Sequence, residues 1–527
     1  MITPTAEQLF YQALAKQQDN AIADAEALYR KALQLAPARP SILLNLAVVL
    51  IGLQRHEEAE EIAVRLLQAD PHDEESLLLL GACQSNLGRK HDALATFERV
   101  LKVNPLLVDA WNDRGNALLD LQNPDAALES YDHALRLAPD HADVLNNRGN
   151  ALLELGRGGD ALDSYNKALQ ERQNFALAYN NRGNALLSLN QTHSAMKSFN
   201  AATQIQPDYA RAHWNESLCR LSLGDFAAGW EQYDWGWIDG QRGPKLALGK
   251  PWWDGRAVDG NLLVWGEQGI GDQILFSGML PELARYGKSV TAAVDPRLVT
   301  LFQRSFPSLK IVSKDGALHN LPFDAHVALG DIGQHLRKSW SDFPANRSAY
   351  LLPDTTRARH LRERLTAKNI ICGISWISRN NVYAAQKSIR LPDLQPILAL
   401  ENFQFVDLQY GDTAGERERL DYGHALHVTH LDDIDNFNDI DGLAALIGAC
   451  DVVLTVSNTT AHLAGALGKP TLLLLPHSVG RHWYWHEGSN TSPWYPSVSI
   501  VRQSTIGDWE SVIAQAKAML VDRQPLG

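Results

Sequence analysis

The chain has 527 residues, too many for one core, and its length points to about three domains. Its 45% apolar and 21% charged residues are those of a globular protein. The net charge of -13 argues against a nucleic-acid-binding surface, which needs clustered Lys and Arg. Cys83, Cys219, Cys372 and Cys450 stand far apart, with no CxxC or Cys/His spacing, so free thiols in a reducing compartment and no metal are expected. The first twenty residues lack a basic segment followed by an apolar one, and no apolar run approaches the ~20 residues of a spanning helix. The expectation is a soluble, cytoplasmic chain with no transmembrane segment.

The N-terminal half repeats. Gly81, Gly115, Gly149 and Gly183 are 34 residues apart, with Ala13, Ala47 and Ser217 in the same register. A second ladder runs Ala25, Ala59, Ala93, Ala127, Ala161 and Ala195. Tyr29, Phe97, Tyr131, Tyr165 and Phe199 form a third, and Pro37, Pro71, Pro105, Pro139 and Pro207 a fourth. The period and pattern resemble tetratricopeptide repeats, each a pair of antiparallel helices. The small residue of the first helix admits the second, and the Ala and aromatic of the second are expected to pack into the next unit. The proline closes the pair. Six units are expected from Ala6 to Tyr209 and a degraded seventh to about Gly240.

The segments WNDRGNALL, LNNRGNALL and YNNRGNALL add amides to this frame. Asn116, Asn150 and Asn184 form one ladder; Asn147, Asn181 and Asn215 form another, with Asn45 and Asp113 in register. Packing needs no amide. The ladders either solvate an exposed face or bind the backbone of an extended peptide, since a carboxamide both donates and accepts. They resemble the asparagine ladder with which O-GlcNAc transferases grip acceptor polypeptides.

After about Leu246 the period stops, and strand-like runs alternate with helical ones, as in parallel sheets. Strands are predicted at Asn261–Trp265, Ser289–Val294, Lys310–Val312 and Ala325–Leu329. A loop-rich stretch from Trp340 to Asp354 reads as a linker. Further strands are predicted at Ile370–Trp376, Gln404–Leu408, Ala425–Val428, Val452–Val456 and Thr471–Leu475. A last helix, Trp509 to Leu520, is expected to cross back to the first sheet. Ligands of open α/β sheets bind at the carboxyl ends of the strands, which here means a cleft between two Rossmann-like halves.

Three motifs carry candidate chemistry. GEQGIGDQILF places Gly266, Gly269 and Gly271 in a tight strand-to-helix turn where backbone can approach a ligand. The spacing is not GxGxxG, which disfavours a bound NAD. Asp272 reads as a helix-capping carboxylate, as a general base in the cleft, or as both at once. DVVLTVSNTTAHLAGALGKP follows a buried strand with Ser457, Asn458, Thr459 and Thr460, then a helix carrying His462 in its first turn. Free N–H groups, hydroxyls and a helix dipole together suit a diphosphate. ISWISRNNVYAAQKSIRL supplies Ser375 and Trp376, then Arg379, Lys387 and Arg390. A loop cation can neutralise a leaving diphosphate, or be solvated surface charge. Asp432, Asp433, Asp435, Asp439 and Asp441 read as helix caps before metal ligands. The run WYWHEGSNTSPWYP reads first as core, with sugar or base stacking as the alternative.

As a set, GEQGIGD, GISW with KSIRL, VSNTTAHLAGALGKP, and SPWYP followed by Arg502 and Gln503 resemble the heptosyltransferase-like (glycosyltransferase family 9-like) GT-B enzymes found behind bacterial tetratricopeptide arrays. The overall plan is similar to O-GlcNAc transferases. The resemblance covers about Leu262 to Leu520. It implies that Asp272 deprotonates the acceptor. It also implies that Ser375, Trp376, Lys387, Asn458, Thr459, Thr460 and His462 contact the donor or its leaving group; Ser457 is a donor-binding candidate from its place before the helix alone. Related enzymes have Asp-Thr where Ser457-Asn458 stand here, which removes an acidic contact to the sugar.

The expected fold is thus an all-α tetratricopeptide superhelix (1–240) followed by an α/β GT-B region. Its two Rossmann-like domains would span 241–345 and 346–527, the second binding the nucleotide sugar. The expected activity is inverting, metal-independent glycosyl transfer from a nucleotide sugar to a protein acceptor. Asp272, His462 and Lys387 would serve catalysis, Gly269 and Gly271 would border the donor, and the Asn ladders would hold the acceptor. Transfer to a glycan or lipid, a non-catalytic scaffold and a sugar-nucleotide epimerase are the alternatives.

Overall fold

The computed structural model describes residues 4–344, 349–365, 370–378, 384–424, 426–478, 480 and 482–522. Arg379 and Ala425 lie outside them. The chain divides into two compact units, 1–186 and 187–527.

The first unit is a stack of helix pairs. They run Ala6–Gln18 with Ile22–Leu35, Pro40–Gly52 with His56–Ala69, Glu74–Asn86 with Lys90–Val103, Val108–Asp120 with Pro124–Leu137, and Ala142–Glu154 with Gly158–Glu171. Close approach within a pair is written in the glycine ladder. A Cβ on Gly81, Gly115 or Gly149 would stand 2.5 Å from the ring of Phe97, Tyr131 or Tyr165. The aromatic therefore packs back onto the first helix of its own repeat, and it also clusters with residues of the next unit, as the sequence suggested: Phe97 with Ala117, Tyr131 with Val144 and Ala151, Tyr165 with Ala185. Pro37, Pro71, Pro105 and Pro139 each fall two residues past a helix end, where proline blocks continuation. One ladder escaped the sequence reading. The turn inside successive pairs uses left-handed backbone at Asn20, Gln54, Gly88, Gln122 and Gly156, again 34 residues apart. Geometry is conserved there while residue type is not.

The second unit opens with the helices Thr192–Ile205, Ala210–Ser222, Phe226–Tyr233 and Trp235–Ile238. Sequence periodicity carries the repeats to about 240, but packing divides the chain at 186/187. The reason is visible in the core: Leu221, Phe226, Trp230 and Tyr233 are buried with residues of the first sheet and its helices.

That sheet contains β1 (Asn261–Trp265), β2 (Ser289–Val294), β3 (Lys310–Ser313) and β4 (Ala325–Ala328), ordered β3-β2-β1-β4 and all parallel. The second holds β5 (Ile370–Ser375), β6 (Phe403–Asp407), β7 (Val428–Thr429), β8 (Val452–Val456), β9 (Thr471–Leu475) and β10 (Val498–Arg502). Its order is β10-β9-β8-β5-β6-β7, also all parallel. This is the doubly wound order, and the first sheet has its first four strands. β10 was not anticipated from sequence. The helix Trp509–Val521 does not cross to the first sheet. Val512, Ile513, Ala516 and Leu520 are buried with β5, β6, β8 and β9 of the second.

Candidate functional site

In a doubly wound sheet, the loops part where the strand order reverses, leaving a crevice at the carboxyl ends. The reversal lies between β1 and β4 in the first sheet and between β5 and β8 in the second. The three sequence motifs are the loops at these two points: 266–269 after β1, 376–378 after β5 and Ser457–Asn458 after β8.

In the first lobe the glycine loop is folded over polar anchors. Gln273, buried, donates to Gln268 O (2.8 Å) and accepts from Asp295 N–H (2.8 Å). A Cβ on Gly266 would meet this side chain at 2.5 Å, which explains the glycine. Glu267 accepts from Arg242 (2.8 Å) and from Gly330 N–H (3.2 Å). The helix Ile270–Ser277 follows, with Gly269 in the capping position and half-buried Asp272 in its first turn. Burial, and then the neighbouring charge of Glu267, push Asp272 up to about 7; backbone N–H groups and Lys387 pull the other way. A carboxyl of this kind holds a proton below neutrality and can take one above it.

In the second lobe Asn458 caps the helix Thr459–Ala466. Its carbonyl accepts from Thr460 N–H (3.0 Å) and Ala461 N–H (3.4 Å), while its amide donates to Ser375 Oγ (2.7 Å) and Ile377 O (3.1 Å). The one residue thus ties the two loops of the switch point together. Gln409 completes the tie: its side-chain oxygen accepts from Ser375 Oγ (3.0 Å), Trp376 N–H (2.9 Å) and Ile377 N–H (2.8 Å). Ser375, Trp376 and Ser457 are buried, and Trp376 and Ser457 are bound to Glu416 and Trp485. These residues form the floor of the crevice; Thr459 and Asp272 keep partial exposure. Sequence reasoning missed Gln409, which lies 34 residues from Ser375 in sequence.

The lobes meet at the two motif helices, Ile270–Ser277 and Thr459–Ala466. A Cβ on Gly271 would come within 3.0 Å of the His462 ring. His462 is buried, its Nδ1 2.9 Å from Tyr495 OH and Nε2 3.3 Å from Tyr484 OH, with the ring stacked on Trp485. Burial, then the nearby His482 and Lys387, lower it to about 3, so it is neutral. Lys387 is buried with Nζ 3.1 Å from His482 Nε2, and burial lowers its pKa against the pull of Asp272. His482 is likewise lowered to about 3 by burial and Lys387. With neutral His482 accepting, the ammonium donates. Asp272, Lys387 and His462 therefore belong to one electrostatic cluster, joined by Tyr484 and Tyr495 of the aromatic run and by His482, which the sequence reading passed over. Arg390 lies apart, exposed and paired to Asp393.

Next to the second switch point is a cavity of about 390 Å³ lined by Gln409, Gly411, His430, Ile434, Asn436 and Phe437 among others. Asn436 is nine-tenths buried, and its side-chain oxygen has no partner among the described residues. The acidic residues nearby act as caps and ion pairs. Asp433 pairs with Arg364, Asp435 accepts from Phe437 and Asn438 N–H, Asp439 caps Ile440–Ala449, and Asp441 pairs with Arg304. Among the described residues no three His, Cys, Asp or Glu cluster as metal ligands, and no helix is long and apolar enough to cross a membrane.

In the first unit the amides bond to each other. Asn180 donates to Asn181 (3.3 Å), Asn181 to Asn146 (3.1 Å), Asn146 to Asn147 (3.2 Å), Asn147 to Asn112 (3.0 Å) and Asn112 to Asp113 (3.2 Å). The chain crosses three repeats in one direction and ends on a carboxylate that burial raises to about 6. Asn116 and Asn150 accept from Tyr131 OH (2.8 Å) and Tyr165 OH (2.7 Å) of their own repeats. Asn184 and Asn215 also have partners. The ladder is real as geometry, and its first use is to stitch neighbouring repeats.

Sequence profiles of the tetratricopeptide repeat match residues 17–75, 84–135, 112–174 and 176–209, so these helix pairs are tetratricopeptide repeats. The chain is similar to protein FlbA of Caulobacter vibrioides, 30% identical over 322 residues, covering 57% of this chain and 53% of that protein. It thus spans about half the length of the curated relative it matches. Among solved structures, a tetratricopeptide repeat protein from Parabacteroides merdae is 17% identical, covering 45% of this chain and 92% of that one, with a TM-score of 0.38. A thermophilic repeat protein in Thermus thermophilus is 22% identical, covering 35% and 100%, with a TM-score of 0.33. MamA is 22% identical, covering 33% and 94%, with a TM-score of 0.28.

Proposed function

We propose that this chain is an inverting glycosyltransferase that takes a sugar from a nucleoside diphosphate and moves it to a protein acceptor gathered by the repeats. The carrying observation is that two switch-point crevices converge on one cluster containing Asp272, Lys387 and the capped helix Thr459–Ala466. The reading places the nucleoside in the cavity at Asn436 and Phe437, whose volume is within the range of small-molecule sites. Asn436, whose buried side-chain oxygen has no partner among the described residues, stands in the wall of that cavity. The diphosphate would lie toward Thr459 and the Lys387 ammonium, which stabilises the leaving charge. Asp272 takes the proton from the acceptor hydroxyl, and that oxygen attacks the anomeric carbon from the face opposite the diphosphate. His462, neutral and held between two tyrosines, shapes the floor and donates no charge.

A panel of nucleotide sugars, read by thermal shift and then by transfer, tests this. One nucleotide should raise the melting temperature by mass action, and Asp272→Asn should abolish transfer while leaving that shift intact. Retained transfer in Asp272→Asn would remove the base from the scheme.

One observation favours a second reading, a scaffold without turnover. Asn458 already occupies two N–H groups of the helix, and Lys387 already has a partner in His482. Binding of every nucleotide failing at millimolar concentration would select it.

A further inference from the structure

Arg242 lies just beyond the Trp235–Ile238 helix, outside every motif singled out above, yet its side chain is fully buried. Its guanidinium bonds Glu267 of the glycine loop (2.8 Å) and Asp331 of the loop after β4 (2.5 Å). It stacks on Tyr233 (4.4 Å to the ring centre) and Trp237 (4.1 Å). Tyr233 in turn accepts from Gln268 of the same glycine loop (3.0 Å). Gly330 closes the junction: a Cβ there would stand 2.4 Å from Glu267 and 3.2 Å from Arg242. One planar fork therefore joins the last repeat-like helices to both loops of the first switch point. A lysine could not hold both carboxylates with the same geometry.

We propose that Arg242 is the positioning residue of this site, fixing Glu267 and with it the glycine loop that presents Asp272 to the cleft. The name "site" rests on the glycosyltransferase reading, but the coupling does not. Glu267 is the charge that raises Asp272 after burial itself. The other groups bearing on Asp272 are Lys387, whose charge lowers it, and Tyr233, Tyr484 and Tyr495, whose own titrations it affects. His462, which abuts Gly271, is neutral above about pH 3 and stays silent near neutrality. Moving or neutralising Glu267 must therefore appear in the protonation midpoint of Asp272.

The test is a carboxyl-carbon NMR titration of the full chain labelled at aspartate, with Asp272→Asn assigning the resonance. Glu267→Gln keeps the acceptor for Arg242 and removes the charge. The Asp272 midpoint should fall by about one pH unit, as expected on removing a nearby like charge. Arg242→Met should move the midpoint too, and Arg242→Lys should restore it only in part. An unmoved midpoint in a folded Arg242→Met protein overturns the proposal. If Arg242→Met does not fold, Arg242→Lys takes its place beside Glu267→Gln: a lysine variant whose midpoint equals the parent's overturns the proposal, and a shifted one supports it. Transfer measured in parallel separates the two claims. Asp272→Asn retaining transfer would defeat the glycosyltransferase base while leaving the Arg242–Glu267–Asp272 coupling standing.

Discussion

Asp272→Asn has a consequence for stability that needs no substrate. The carboxyl rises from 3.8 to about 7 in the folded chain. At 1.36 kcal/mol per pH unit, that displacement sets a ceiling of about 4 kcal/mol, and 2–4 kcal/mol is roughly what survives incomplete burial. The sign follows from a folded-state value above the unfolded one: the native chain holds the proton more tightly, so stability is gained below pH 4 and lost as pH rises through 7. Asparagine carries no such charge. The variant should therefore be more stable than the parent at pH 8, and the gap should close toward pH 5. Urea unfolding followed by tryptophan fluorescence is suited to this. Of the 14 tryptophans only Trp111 precedes residue 187, so the signal reports the unit that contains Asp272. A stability difference that is the same at pH 5 and pH 8 would refute the reasoning.

Three further outcomes follow from the repeats, each read by circular-dichroism melting. Gly115→Ala sets a Cβ 2.5 Å from the Tyr131 ring and should destabilise by about 1–3 kcal/mol, whereas Gly159→Ala meets open space and should be neutral or stabilising. Gln122→Gly relieves a left-handed backbone at φ 59 and should stabilise by about 0.5–1 kcal/mol, after the greater freedom of glycine in the unfolded chain is deducted. Asn147→Ala cuts the amide chain, leaving Asn146 without its acceptor and Asn112 without its donor, at about 1–3 kcal/mol. If it melts like the parent, the amide chain is not a stitch between repeats.

The repeats were legible because a 34-residue period writes each contact many times over, and Gly115 facing Tyr131 is the same statement as Gly149 facing Tyr165. The turn ladder was not, since Asn20, Gln54 and Gly88 share a backbone angle and no side-chain type. The parallel strands announced themselves as apolar runs between Gly and Pro. β10 did not, because Val498–Arg502 is broken by Ser499, ends on Arg502 and follows an aromatic stretch that reads as core. The candidate site was half legible. Ser375 ends β5, Asn458 follows β8 and Asp272 opens the helix after β1, where motif and topology agree. Arg242, Gln409 and His482 join the site only through folding, from segments with no pattern of their own. The Asn ladders show the opposite limit: spacing placed them correctly, while only the structure shows that Asn147 and Asn181 bond to Asn112 and Asn146.

The claim that two α/β lobes hold a nucleoside diphosphate sugar at their facing switch points is open to one direct measurement, diffraction from crystals soaked with the nucleotide that stabilises the chain best. The account predicts difference density for a base beside Asn436 and Phe437, running as a diphosphate toward Thr459 and Lys387. Density elsewhere on the chain, with the crevice between β5 and β8 unchanged, would contradict it.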